Sequence, residues 1–384
     1  MSLSVRRWSA IHRWSSLACT AFLLLLCVTG LPLIFHDEID AWVSPHHYAP
    51  VPDGVKPASL DTLAAAARHL YPRDVIASMQ LDDDEPQVLV WMVPSFAAMK
   101  ADFTVMHAIR FDARTGAFLE AMPSRASETG TFTGLMLALH TSLMQGAAGE
   151  WFLLGMGLVF LLALISGVVV YDPFMKRLRF GEVRHDKARR VRWLDRHNLL
   201  GISTLAWAFL VGLTGAMNEL STPLFQSWQQ HDVMPFLATH VPPPGEGRVA
   251  IATFQDALES TKRVAPDAAI LSIAFPGNPF GSPYHYLAWT QGNEPLTSHL
   301  LTPVLIDAHT GSVAAMLSMP WYLRTLEIAR PVHFGDYGGI AMKVLWAVLD
   351  IVTIVVLVSG LYLWLAKGRR RAGREPGSAQ EVST

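Results

Sequence analysis

Four histidines stand at repeated positions beside long apolar segments, a pattern that could hold a metal cofactor. His12 and His197 each follow an Arg-Trp pair, and each is followed seventeen residues later by Thr-Gly. His140 and His333 are each followed twenty-six residues later by Ser-Gly. Imidazole is the commonest metal ligand in proteins, and helix bundles build cofactor sites from facing side chains. The four histidines therefore predict two haems, each with two of them as axial ligands of its iron.

The repetition extends to the segments between these histidines. Phe111–Gly116 reads Phe-Asp-Ala-Arg-Thr-Gly, and Ile306–Gly311 reads Ile-Asp-Ala-His-Thr-Gly. We interpret the chain as two tandem copies of helix, soluble module and helix. A pseudo-two-fold axis between the copies would place the histidines in two pairs: His12 with His197, and His140 with His333. Purely structural histidines and a non-haem metal site are the alternatives.

Composition and charge predict a multi-pass membrane protein. Hydrophobic residues make up 51% of the 384 residues, and charged residues 16%. Basic residues crowd the start of the chain, the segment Lys176–Arg196 and the tail from Lys367. The positive-inside rule places these parts, and hence both termini, in the cytoplasm. Four apolar runs can cross roughly 30 Å of hydrocarbon: Leu17–Phe35, Trp151–Val170, Leu199–Met217 and Ile340–Ala366.

The predicted fold is membrane α-helical, a four-transmembrane-helix bundle with two extracytoplasmic α+β modules. The internal duplication divides the chain into eight segments. The four transmembrane helices are residues 1–36, 132–171, 197–219 and 331–366. The two periplasmic modules are residues 37–131 and 220–330, and the basic cytoplasmic loop and tail are residues 172–196 and 367–384.

Each module is predicted as one helix against an antiparallel sheet. In the first, a helix over Leu60–Leu70 precedes strands at Ala77–Leu81, Val88–Val93 and Val105–Phe111, a turn at Asp112–Gly116 and a last strand. In the second, the corresponding elements are Phe254–Arg263, Ile270–Ala274, Tyr284–Trp289, Pro303–Ile306 and the turn Asp307–Gly311. Glycine takes the positive-φ position of each turn. Proline-rich linkers over Pro45–Pro57 and Pro242–Pro244 join the modules to the membrane.

Other ionisable residues near the spans are secondary candidates. His36 closes the first span and could replace an outer ligand, although the repeat argues against it because Ser221 stands at the matching position. Lys343 and Asp350 lie inside the fourth span, where ionisable groups are costly and so are functional candidates. Lys343 matches Glu150 in the repeat, with which it could pair, whereas Asp350 matches Gly157. Cys19 and Cys27 are expected to be helix-packing residues.

Arginines flank both proposed haem sites. They could bind haem propionates, because a guanidinium fork suits a carboxylate, or they could serve only as topology signals. They are Arg6, Arg13, Arg192 and Arg196 around the inner pair, and Arg324 and Arg330 before His333. The sequence has no Gly-x-Gly-x-x-Gly after a strand, and its cytoplasmic loop is too short for a nucleotide domain. A separate protein, a quinol or a diffusible reductant would therefore supply electrons.

Several motifs together resemble the PepSY-associated transmembrane proteins. They are His12-Arg13-Trp14, the Thr-Gly near the end of the first span, the Asp-x-x-Thr-Gly turns, Val332–Gly335 and Gly360–Trp364. The resemblance covers nearly the whole chain. It implies a bacterial inner-membrane protein linked to siderophore iron uptake, of the type that looks like a haem-containing ferric-siderophore reductase. The partner would then be a ferric siderophore on the periplasmic side. A regulator of periplasmic proteins and a siderophore or haem transporter are the alternative functions.

Overall fold

The computed structural model describes residues 3–43, 45, 48–51, 54–82, 85–122, 124, 130–175, 181–239, 252–279, 281–294 and 297–372. The predicted linker Pro242–Pro244, parts of the linker Pro45–Pro57, residues 176–180 of the basic loop and residues 373–384 of the tail lie outside the described residues.

Helices account for most of the described chain. In chain order they are α1 (Leu3–Leu33), α2 (His36–Val43), α3 (Leu60–Leu70), α4 (Phe96–Ala101), α5 (Phe132–Ser142), α6 (Ala147–Met175), α7 (Arg189–Asn218), α8 (Ser221–Trp228), α9 (Met234–Thr239), α10 (Phe254–Val264), α11 (Trp321–Phe334) and α12 (Gly339–Ala372). A π-helical turn, Gln229–Val233, joins α8 to α9.

The strands all belong to one antiparallel sheet. They are β1 (Val75–Leu81), β2 (Gln87–Val93), β3 (His107–Asp112), β4 (Phe118–Met122), β5 (Ala268–Ala274), β6 (His285–Gly292), β7 (Leu301–Asp307) and β8 (Val313–Met316). Their order across the sheet is β4-β3-β2-β1-β5-β6-β7-β8. These elements confirm the helix and strands predicted for each module.

The chain divides into two compact units. The helical unit comprises Met1–His36, Met136–Leu220 and Val332–Thr384, and the sheet unit comprises Asp37–Leu135 and Ser221–Pro331. Four helices of the helical unit are long and apolar enough to cross a membrane, with spans at Leu3–Leu33, Ala147–Tyr171, Arg189–Asn218 and Asp336–Ala366. The chain is therefore a multi-pass membrane protein, as its composition predicts.

In the helical unit, each span packs on two others. α1 packs on α6 and α12, and α7 also packs on α6 and α12. The first copy of the repeat supplies α1 and α6, and the second supplies α7 and α12. Two interfaces therefore lie within the copies, α1 on α6 and α7 on α12. The other two lie between the copies, α1 on α12 and α6 on α7.

The segment 132–171, predicted as one transmembrane helix, is divided into α5 and α6. Leu143 and Met144 have φ angles of 52° and 59°, and Gly146 has 54°. Left-handed backbone at consecutive non-glycine residues cannot continue an α-helix and carries strain. The second copy has the corresponding break between α11 and α12, where Gly335 and Gly339 have φ angles of 82° and 57°. His140 and His333 thus stand on short helices that precede the spans.

In the sheet unit the two modules form one continuous sheet, because β1 pairs with β5. Ser78 pairs with Ala274 and Gln80 with Ser272 at this junction. Helices α3 and α10 cover the same face, and a single apolar core runs beneath both, including Leu63 and Phe254. Across the two helices, the Leu60 amide donates to Gln255 Oε1 over 3.0 Å. The sequence predicts each half of this sheet but not their union.

The turns after β3 and β7 form as predicted. Gly116 and Gly311 have φ angles of 73° and 69°. The Asp112 carboxylate accepts from Arg114 and the Thr115 amide, and these bonds, led by that from the Arg114 side chain, hold its pKa below the ordinary value. Burial opposes ionisation of Asp307, but hydrogen bonds from Thr310 and His309 keep its pKa low. Both turns are therefore stabilised by an ionised aspartate.

Candidate functional site

At one end of the helical unit, His12 and His197 project from the third turns of α1 and α7. His12 Nδ1 lies 2.9 Å from the carbonyl oxygen of Ala163 on α6. His197 Nδ1 lies 3.1 Å from the carbonyl oxygen of Val356 on α12 and 2.9 Å from Ser359 Oγ. The two rings are close enough to interact electrostatically. Each histidine is therefore held by the other span of its own copy and lies near the histidine of the other copy.

At the opposite end, His140 and His333 reproduce this arrangement. His140 Nδ1 lies 3.0 Å from Thr29 Oγ1 on α1 and bonds to the backbone of Leu26. His333 Nδ1 lies 3.2 Å from Thr214 Oγ1 and 3.0 Å from the carbonyl oxygen of Val211, both on α7. In these contacts too, the ring is held within its copy. The two ring centroids are 6.2 Å apart, with an interplanar angle of 59°.

The same backbone arrangement holds all four imidazole rings. Each ring bonds to the backbone of the residue three positions before a Ser or Thr, and that Ser or Thr immediately precedes a glycine. The four sets are Ala163 with Ser166-Gly167, Leu26 with Thr29-Gly30, Val211 with Thr214-Gly215, and Val356 with Ser359-Gly360. The repeated Thr-Gly and Ser-Gly pairs in the sequence thus mark where the histidine of the partner helix is held.

The glycines leave room for the imidazole rings. A Cβ built on Gly30 would lie 2.9 Å from His140 Cε1, and one on Gly215 would lie 3.0 Å from His333 Cε1. For Gly167 and Gly360 the corresponding distances to the rings of His12 and His197 are 3.1 and 3.4 Å. A side chain would displace the ring most at Gly30 and least at Gly360.

These contacts fix the tautomer of the imidazoles. A backbone carbonyl only accepts hydrogen bonds, so the Nδ1 atoms that face carbonyls must carry the proton. Within the described part of the chain, each of the four rings forms its hydrogen bonds through Nδ1. The Nε2 lone pair is therefore left for a metal, and a second hydrogen bond on the other ring nitrogen is the usual arrangement of ligating histidines.

The ring separation fits a metal ion between the two Nε2 atoms. An imidazole nitrogen binds a first-row transition metal at about 2 Å, and the ring centre lies about 1 Å behind it. Two such ligands in line would place their centroids roughly 6 Å apart, close to the 6.2 Å of His140 and His333. Among the described residues, no group of three or more His, Cys, Asp or Glu side chains could hold a metal. Two ligands per site fit a haem, whose macrocycle supplies the other four.

His36 and three of the candidate arginines contact groups other than the four histidines. His36 is exposed at the start of α2, and its Nδ1 bonds to the Leu33 carbonyl over 3.0 Å. Arg13 lies over Trp14 and Arg196 over Trp193, whereas Arg324 donates to the Met319 carbonyl. The predicted role of the arginines at propionates stays a prediction.

Sequence reasoning did not identify the partners of the imidazoles. Three of the backbone partners are seen as carbonyl acceptors, and a carbonyl group belongs to every residue type, so no letter in the sequence reveals it. The only sequence signal is the Thr-Gly pair seventeen residues after His12 and His197 and the Ser-Gly pair twenty-six residues after His140 and His333. Lys343 is buried and Glu150 interacts electrostatically with Glu219, so their proposed pairing stays a prediction.

Four spans, two facing histidine pairs and an antiparallel sheet unit define a duplicated multi-pass membrane protein with two candidate metal centres. The family described as the PepSY-associated TM region matches residues 9–367, and the chain belongs to it. An uncharacterized protein of Pseudomonas aeruginosa, PA4219, is 28% identical over 252 residues, which cover 61% of this chain and 63% of that protein. The chain thus spans less than two thirds of the length of this relative.

Proposed function

We propose that this chain is an inner-membrane di-haem b reductase. It passes electrons across the membrane to a periplasmic ferric siderophore and releases Fe(II) for iron uptake. The observation that carries this proposal is the pair of facing imidazoles at each end of the helical unit, with Nδ1 held by the adjacent helix. One b-type haem fits each pair, one near each membrane face.

When bound, the haems would supply one-electron transfer. The protein positions them. His12 and Gly30 are separated by eighteen residues of α1, about 27 Å of helix. Because one cofactor cannot cover that distance, two centres at two depths are needed for electrons to cross. The apolar spans keep water away from both.

The direction of transfer follows from the distribution of basic residues. The segments 1–13, 176–196 and 367–374 are rich in arginine and lysine, which places them in the cytoplasm. His12 and His197 then form the inner pair, and His140 and His333 form the outer pair. Alkaline phosphatase fused after Phe118 or Val313 should be active, and the same fusion after Arg184 should be inactive. The reverse activities would overturn the direction.

The reaction needs no acid, base or nucleophile from the protein. The hard oxygen donors of a siderophore hold Fe(III) far better than Fe(II), so addition of one electron weakens the complex. A ferric siderophore is therefore the substrate, and its iron is the cargo that is reduced. The electron donor on the cytoplasmic side is a separate protein, a quinol or a diffusible reductant.

A half-reaction tests the assignment. Purified protein should contain about two low-spin b-type haems per chain, and after anaerobic reduction it should be reoxidised by a ferric hydroxamate siderophore. Ferrozine in the solution should trap Fe(II) in step with haem oxidation. His12→Ala, which removes the inner ligand, should keep this half-reaction but abolish turnover driven from the cytoplasmic side.

Two results would overturn the proposal. A preparation without haem, despite adequate haem supply, would favour a regulator of periplasmic proteins or a transporter. A reduced haem protein that stays reduced with every ferric siderophore offered would keep the cofactor but exclude the reductase.

A further inference from the structure

A buried carboxyl group lies between two spans, away from the histidines. Asp350 on α12 is 7% exposed, and its Oδ2 atom has no hydrogen-bond partner among the described residues. From α1, the thiol of Cys27 faces it within the range of a weak hydrogen bond. An isolated carboxylate in a low-dielectric interior is strongly disfavoured unless a positive charge lies nearby. Asp350 therefore needs an explanation beyond packing.

The repeat supplies the comparison that separates packing from function. The counterparts of Cys27 and Asp350 in the other copy are Gly212 and Gly157. These glycines lie at the α6–α7 interface, where a Cβ on Gly212 would come 2.8 Å from Phe160 and one on Gly157 would come 3.2 Å from Ala216. Glycine and aromatic packing thus closes one interface between the copies, and the thiol and carboxyl occupy the matching place in the other.

Few charged or titratable groups surround Asp350. α1 offers Cys19 and Cys27 between Arg13 and His36, and α7 has no titratable residue between His197 and Glu219. On α12 itself, Lys343 lies two turns earlier and is also buried. Asp350 is thus the sole carboxyl group within these three spans between the two histidine levels.

The position of Asp350 along the bundle favours one histidine pair. Its neighbour Cys27 precedes Gly30 by three residues, about 5 Å of helix rise, and Gly30 packs on the ring of His140. In the other direction, Val356, whose carbonyl accepts from the His197 ring, lies six residues beyond Asp350 on α12, about 9 Å of helix rise. The carboxyl group therefore lies nearer to the level of the His140–His333 pair than to that of the His12–His197 pair.

We propose that Asp350 accepts a proton when an electron reaches the His140–His333 site, and so balances its charge. This inference rests on the proposed function. Were oxidised haem held by His140 and His333, its net positive charge would stabilise the Asp350 carboxylate. One electron, delivered from the other site, removes that charge. One proton from water on the nearer side of the membrane then forms an O–H bond on the carboxylate, while Cys27 keeps its own proton.

Redox titration of the purified, haem-loaded protein over a range of pH tests the proposal. The His12→Ala background isolates the site held by His140 and His333. Its midpoint potential should fall as pH rises, with a limiting slope of about 59 mV per tenfold change in proton activity. Asp350→Asn keeps the shape but cannot ionise, so its potential should be independent of pH over the same range. Cys19→Ala, a matched cysteine that donates to the Ser15 carbonyl on the same helix, should titrate as the parent does.

Infrared difference spectra provide a readout that needs no turnover. Reduction should produce the C=O band of a protonated carboxyl group, and Asp350→Asn should lose it. If Asp350→Asn does not fold, Cys27→Ala replaces it: that variant keeps the carboxyl but removes its thiol neighbour, so the band should shift in frequency. A pH-independent potential together with no carboxyl band would overturn the inference and leave the reductase intact. A pH-dependent haem that no ferric siderophore oxidises would overturn the proposed function alone.

Discussion

Around the histidines, the two copies of the repeat use the same residue types at the same offsets, whereas on the sheet they use different covering elements. Both copies hold their imidazoles with a carbonyl, a Ser or Thr, and a glycine. On the sheet face opposite α3 and α10, α4 packs Met99 over the first half, and α9 packs Leu237 over the second. An apolar face accepts any well-packed apolar cover. The pockets of the four imidazole rings do not show that freedom.

A second difference lies between the copies, within the spans themselves. One interface carries Cys27 and Asp350, and the matching interface carries Gly212 and Gly157. Helices in a membrane associate most easily through small residues. The polar pair is thus a departure from the simpler solution that the same protein uses at the related position, which indicates a role other than association.

The largest expected effect is loss of a ligand. His140→Ala and His333→Ala should each remove the same haem, because the two rings share one site, while His12→Ala and His197→Ala should each remove the other. Pyridine haemochrome assay should show the haem content of each variant reduced by half. His36→Ala is the control, since that side chain is exposed and bonds to the last residue of α1, and it should keep both haems. Haem loss in His36→Ala with haem retention in His140→Ala would contradict the prediction that the two copies supply equivalent ligands.

Substitution of the glycines should weaken haem retention by an amount that depends on the space beside each imidazole ring. A Cβ on Gly30 would lie 2.9 Å from the His140 ring, whereas one on Gly360 would lie 3.4 Å from the His197 ring. Gly30→Ala should weaken haem retention by about 10-fold or more, as changes beside metal ligands do, and Gly360→Ala should have a smaller effect. The rate at which haem transfers to an excess of a haem-scavenging apoprotein measures haem retention in both variants. Gly155→Ala, which meets no atom within 4 Å, is the matched control. An equal loss of haem in all three variants would show that the substitutions disturb helix packing rather than the imidazole rings.

The sequence predicts local elements well because their signals are local. Helix α3 begins and ends where its periodicity indicates, at Leu60 and Leu70. The junction of β1 with β5 joins Ser78 to Ala274, and no short-range pattern distinguishes two separate sheets from one continuous sheet. The break after α5 depends on left-handed backbone at Leu143 and Met144, residue types that favour a continuous helix. The histidines could be paired from the repeat alone, but the backbone groups that hold them could not be identified.

A smaller effect should separate two otherwise equivalent serines. Ser359 Oγ lies 2.9 Å from His197 Nδ1, whereas Ser166 donates to the Ala163 carbonyl that His12 uses. Ser359→Ala removes a direct contact but leaves the Val356 carbonyl on the ring, so the loss should be about 1 kcal/mol, or several-fold in haem affinity. Ser166→Ala should change haem affinity less. Because both variants remove one hydroxyl from the same end of the bundle, a larger effect for Ser166→Ala would contradict the hydrogen-bond assignment.

A pH-dependent effect concerns the sheet unit, where Glu327 has no counterpart because Gly134 stands at the matching position. Burial raises the pKa of Glu327 to about 7, against the backbone bond from Leu301 and the charges of Arg330 and Arg324. A carboxyl group with a folded pKa above its unfolded value of 4.5 contributes stability below that value, and the contribution is lost as pH rises through about 7. Glu327→Gln should therefore stabilise the protein at pH near 8 by on the order of 1–3 kcal/mol and have little effect near pH 5. Thermal unfolding followed by tryptophan fluorescence measures this. Glu259→Gln, at an exposed position, is the control and should not change stability at either pH. A stabilisation by Glu327→Gln that did not depend on pH would show that packing around Glu327, not its ionisation, is the cause.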